Sequence, residues 1–169
     1  KSDCRLLPYP QERAGTQHHQ YRKRRSVFVN DSCGEIRFMK QFFVQMIDNS
    51  MSSQWWKEII EHFVKAGDTF EIRCWREEAA EIGEASLYGT VVADGYEVSV
   101  KGSVTEELLG KLLAEAPADK SIYNKMTKYF TIHVRNDLCD IWSEHYGTEM
   151  VIDIISDADI EFFEQVMGQ

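Results

Sequence analysis

The chain has 169 residues, 43% of them hydrophobic, enough for one domain with a sizeable core or a domain plus an arm. Lys and Arg number 19 against 28 Asp and Glu, a net charge of −9, which disfavours nucleic acid and anionic membrane as partners of the chain as a whole. No apolar run approaches the roughly 18 residues that span a bilayer, and no secretory pattern is seen, so a soluble cytoplasmic protein is expected.

The charge is uneven. Residues 1–50 hold nine Lys and Arg against five acids, +4, which leaves ten against 23, −13, in residues 51–169. That break, with a fresh helix start near residue 51, suggests a basic N-terminal arm and apolar helix over 1–50, appended to an acidic α+β domain over 51–169. An acidic body attracts a basic protein at long range. Cys4, Cys33, Cys74 and Cys139 are far apart, with no CxxC pair. Reduced, mostly buried thiols are therefore expected, rather than a disulfide framework or a zinc site.

Residues 1–26 read as an unpacked arm, since Pro8 and Pro10 break helices. The arm ends in Tyr21, Arg22, Lys23, Arg24 and Arg25, a basic run behind an aromatic that can grip phosphates. A solvated arm is the plainer reading. Residues 27–30 suggest a short strand. Over 33–48, Ile36, Met39, Phe43, Met46 and Ile47 fall at helical spacing, so an apolar helix is expected. A second helix starts at Ser52 or Ser53, carries Trp55, Trp56, Ile59, Ile60, Phe63 and Val64, and ends at Gly67. Residues 69–76 alternate as a half-buried strand, and 77–83 read as an acidic linker.

Asp94-Gly95 is the strongest hairpin signal. Taken as the two turn residues, it pairs Ala93 with Tyr96, Val91 with Val98, Gly89 with Val100 and Leu87 with Gly102, a nearly continuous apolar face. Residues 105–116 follow as a helix with acids near its positive end, stopping before Pro117. Residues 129–135 are a predicted strand. Residues 136–146 suit a short helix, with a strand over 140–145 as the alternative. A buried strand over 150–155 and a helix from Ser156 or Asp157 close the chain. The order implies an α+β fold: a mainly antiparallel sheet of about four to five strands with helices on one face, a two-layer sandwich.

His133, Asp137, Cys139, Asp140 and His145 are the candidates for a small enzyme. A thiol nucleophile needs an imidazole within reach, and a metal needs three or four convergent ligands. With His133 on a strand and the rest on a helix, the spacing scatters them. Asp153, Asp157, Asp159 and Glu161 lack the loop pattern of a calcium site. GxxxxGK[ST], GxGxxG, GxSxG and HExxH are all missing from the sequence. No catalytic residue, metal or cofactor is assigned, and the expectation leans away from an enzyme.

The outward sheet face is the better candidate. Glu71, Arg73, Trp75, Tyr88, Lys101 and His133 are expected on it, and exposed Trp, Tyr and Arg anchor protein interfaces. Glu77, Glu78, Glu81 and Glu84 form an acidic edge that suits a basic partner. Small size, acidic balance and a hairpin-centred α+β pattern together resemble the general character of bacterial immunity and antitoxin proteins, a likeness of type that transfers no site. It implies a protein-binding module of inhibitor type, with a basic protein partner, no membrane, and room for homo-oligomerisation. Nucleic-acid binding through Tyr21–Arg25 and an enzyme built on 133–145 are the alternatives.

Overall fold

The computed structural model describes residues 13–14, 19–30, 36–46, 52–115 and 125–168, with side chains from Met39 onward except Asp94. In chain order these residues form β1 (Arg13–Ala14), β2 (His19–Asn30), β3 (Ile36–Met46), α1 (Gln54–Phe63), β4 (Thr69–Trp75), α2 (Ala79–Ala85), β5 (Gly89–Asp94), β6 (Glu97–Ser103), α3 (Glu106–Ala114), β7 (Thr131–Arg135), β8 (Cys139–Glu144), β9 (Glu149–Ile154) and α4 (Asp157–Met167). The strands make one sheet in the order β1-β2-β3-β9-β8-β7-β4-β6-β5. All neighbours are antiparallel. The α+β class and the antiparallel sheet are as expected; the sheet has nine strands rather than four or five.

Within the expected helix over 33–48, the described residues Ile36–Met46 are a strand, β3, and not a helix. β3 pairs β2 on one side and β9 on the other, which carries the sheet across residue 50. Phe42 and Val44 are fully buried, and Phe43 is half-buried on the opposite face. A strand apolar on both faces also satisfies helical spacing, and periodicity alone cannot separate the two. Tyr21–Arg25 does not lie in an unpaired arm either. Tyr21, Arg22 and Lys23 pair with Val44, Phe43 and Phe42, and the register shifts between Lys23 and Ser26. Residues 139–144 take the alternative reading, a strand, and α2 occupies most of the expected linker.

The β5–β6 hairpin closes through Gly95-Tyr96, with Asp94 opposite Glu97 and Val91 opposite Val100. Gly95 has φ +61°, a conformation that costs glycine little and suits the first position of a two-residue turn. The register therefore differs by two residues from the expected one. An even shift leaves every side chain on its face. Burial differs more, since Leu87 is 72% and Val91 49% exposed.

On the inward face, Phe163 of α4 meets Phe42 with ring centroids 4.6 Å apart. Thr105 Oγ1 accepts from Leu108 N–H at 3.1 Å and caps α3, a bond typical of helix starts. At the β7–β8 turn, Asn136 Oδ1 accepts from the N–H groups of Leu138 and Cys139, both at 2.9 Å. Its Nδ2 donates to the Phe63 carbonyl at 2.9 Å and to Asp68 Oδ2 at 2.7 Å. One side chain thus closes the turn and ties it to the end of α1.

Candidate functional site on the outward sheet face

Side chains alternate along strands, so residues in register line up in rows across the sheet. The central outward row runs from β3 to β5 as Phe43, Val151, Trp142, His133, Glu71, Lys101 and Thr90. Beside it lie Gln41, Asp153, Asp140, Arg135, Thr69 and Ser103. On the other flank are Gln45, Glu149 and Glu144, then Thr131, Arg73, Ser99 and Val92.

The rings and charges of this face hold one another. His133 stacks on Trp142 with centroids 3.8 Å apart and planes at 12°. Asp140 Oδ1 accepts from His133 Nε2 at 2.7 Å, and its Oδ2 accepts from Arg135 Nε at 2.8 Å. Burial works against the charge on Asp140, but these two donors outweigh it and keep the carboxyl below its usual range. Glu71 accepts from Arg73 Nε at 2.7 Å and from Ser99 Oγ at 2.8 Å, with Lys101 Nζ at 3.2 Å. Burial again opposes ionisation, and the donors again win. Trp75 packs on Phe130, centroids 4.5 Å apart.

Asp153 is different. It stands directly opposite Asp140, and its Oδ1 is buried without a hydrogen-bond partner among the described residues. Burial pushes its carboxyl up, a hydrogen bond with Gln41 offsets part of that, and the charge of Asp140 adds to the rise.

Glu71, Arg73, Trp75, Lys101 and His133 therefore share one face, as expected from the sequence. Tyr88 does not. Its hydroxyl donates to Glu107 Oε1 at 3.0 Å, and Lys111 Nζ lies 5.3 Å above its ring, which places it beside α3. The acidic edge is partly internal. Glu78 accepts from Tyr146 Oη at 2.8 Å and from the Trp75 N–H at 2.9 Å. Glu84 pairs with Lys128 at 2.6 Å, and that bond leads in holding its carboxyl below the usual range. Glu77 is exposed and Glu81 half-buried.

Of the five residues between 133 and 145, only His133 and Asp140 meet. Cys139 is buried on the inward face, where burial first and the nearby Asp68 and Asp140 charges second push its thiol up to about 12. Such a thiol is a poor nucleophile. His145 sits at the β8–β9 turn, its Nδ1 3.3 Å from Glu149 Oε2. Among the described residues no three His, Cys, Asp or Glu side chains are grouped to hold a metal. Compared with protein-family models, curated proteins and solved structures, the chain matches none. The functional reading therefore rests on this face.

Sequence reasoning missed Trp142, Asp140, Arg135 and Asp153 as members of it. The signal was present in the alternation of residues 139–144, which reads as a strand once Trp142 is allowed an outward position. A pocket of about 270 Å³ lies elsewhere, between Glu84, Lys111, Glu115, Lys128 and Tyr129. Lys128 bridges Glu84 at 2.6 Å and Glu115 at 3.2 Å, so its charges answer one another. No described helix is long and apolar enough to cross a membrane.

Proposed function

We propose that this chain is a protein-binding module whose outward sheet face engages a basic protein partner, in the manner of an inhibitor that covers its partner's surface. The observation that carries the reading is the partly buried set Trp75, Trp142 and Arg73 on one sheet face, held by fixed neighbours. Trp and Arg dominate binding energy where they are packed and preorganised, and side chains already ordered lose little entropy on association. Asp140, Glu144, Glu149 and Asp153 cluster at the β8–β9 end of the face, and the −13 of residues 51–169 steers a basic partner toward the chain. In this reading the molecule is a two-layer sandwich with one layer left for the partner, working in the cytoplasm with Cys74 and Cys139 as thiols.

The test is affinity capture from the source lysate with the full chain and a Trp75→Ala/Trp142→Ala variant of matching circular dichroism. The reading expects a basic protein held by the wild type and lost by the variant. Equal retention by both, or retention of nucleic acid alone, overturns it; the latter would favour Tyr21–Arg25.

A further inference from the structure

Strand β5 ends the sheet, and among the described residues its only strand neighbour is β6. Natural sheets blunt such edges with Lys, Pro, bulges or very short strands. β5 does none of this. Residues 87–93 contain no Pro and no charged side chain, and the pairing with β6 runs without a bulge from Gly89 to Asp94. Both faces of the strand are open: Val91 is 49% exposed on the inward side and Val92 44% on the outward side. Leu87 at 72% and Tyr96 at 86% flank them. A run this apolar and open, at a sheet edge, is a ready template for another strand.

The register fixes which backbone groups face outward. The two-residue turn closes on the pair Asp94 and Glu97, and such a closing pair is hydrogen-bonded. Antiparallel pairs then alternate, so Thr90 and Val92 also bond β6, while the N–H and C=O of Gly89, Val91 and Ala93 point away from it. These three residues are symmetric about Val91.

We infer that β5 docks on the β5 of a second copy of this chain, antiparallel and centred on Val91, so that two sheets become one across a two-fold axis. In that register Val91 meets Val91 and Gly89 meets Ala93, and every outward group of the three finds a partner. The surface is self-complementary, as a two-fold contact requires. The symmetry selects the occupant, and local charge does not oppose it: each copy carries −9, but residues 87–93 carry no charge, and the register sets Asp94 against Tyr88 rather than against another Asp94. A basic strand would meet no acid between residues 87 and 93.

Sedimentation equilibrium of the full chain tests this. The expected result is a mass of two chains at micromolar concentration, with association strengthened by added salt, because salt screens repulsion between the acidic bodies. Val91→Lys opposes two ammonium groups at the axis and is expected to give a monomer with unchanged circular dichroism, while Val91→Thr keeps the dimer. A monomer at all concentrations, or a dimer that survives Val91→Lys, overturns the inference. Amide exchange of the wild type gives a reading that needs no variant. Gly89, Val91 and Ala93 slow as concentration rises, while Thr90 and Val92 are slow throughout. Exchange at those three amides that ignores concentration overturns the inference as well.

Discussion

Trp56 Nε1 donates to Ser143 Oγ at 2.8 Å where both side chains are fully buried, joining α1 to the middle of β8. A buried donor left without its acceptor costs about 1–3 kcal/mol. Ser143→Ala is expected to lower stability by that amount, seen as a lower urea midpoint with an unchanged slope. An unchanged midpoint would mean that the indole finds another acceptor.

Gly147 lies next to this bond. It has φ +82°, and a Cβ added there would stand 2.6 Å from Met126 Cβ and 3.1 Å from Trp56 Nε1. The carbonyl of the preceding Tyr146 accepts the Met126 N–H at 2.8 Å, which locks residue 126 against the turn. Gly147→Ala is expected to cost more than the roughly 1–2 kcal/mol that left-handed backbone alone imposes. Gly67→Ala, at φ +97° with nothing within 4 Å, isolates the backbone part. Thermal unfolding should rank Gly147→Ala well below Gly67→Ala.

The facing carboxyls Asp140 and Asp153 predict opposite pH behaviour. The folded state raises Asp153 above its ordinary 3.8, so its contribution is most favourable below that value and is lost as pH rises through the raised one. Asp153→Asn is therefore expected to stabilise the chain at neutral pH, by up to about 1 kcal/mol for a facing like-charge pair, with the gain vanishing in acid. Asp140 is held low, so Asp140→Asn costs stability at neutral pH, and that cost fades as pH falls through the depressed value. Melting temperatures of both variants from pH 3 to pH 8 check the two signs.

Much of this architecture could be read before any coordinates. The helices α1, α3 and α4 follow their apolar spacing and their Ser or Thr starts, and β4 follows strict alternation. The N-terminal half of the sheet could not be read in this way. Phe43 outward and Phe42 and Val44 inward make β3 apolar on both sides, which removes the two-residue signature of a half-buried strand. Trp142 hides β8 in the same manner. That single misreading also hid the site, because His133 and Asp140 meet only when residues 133 and 142 lie opposite each other on adjacent strands. The hairpin shows how a wrong register can leave faces intact: an even slip moved every partner of β5 and turned over no side chain.

The most direct test of the proposed face uses the four tryptophans as internal reporters. Trp55 and Trp56 are 5% and 0% exposed, while Trp75 and Trp142 are only partly buried, on the outward face. Hydroxyl-radical footprinting of the chain, alone and bound to its captured partner, separates the two sets. The account predicts that Trp75 and Trp142 are oxidised in the unbound chain and protected in the complex, with Trp55 and Trp56 unmodified in both. Oxidation of Trp75 and Trp142 that is equal in the complex and in the unbound chain would contradict it.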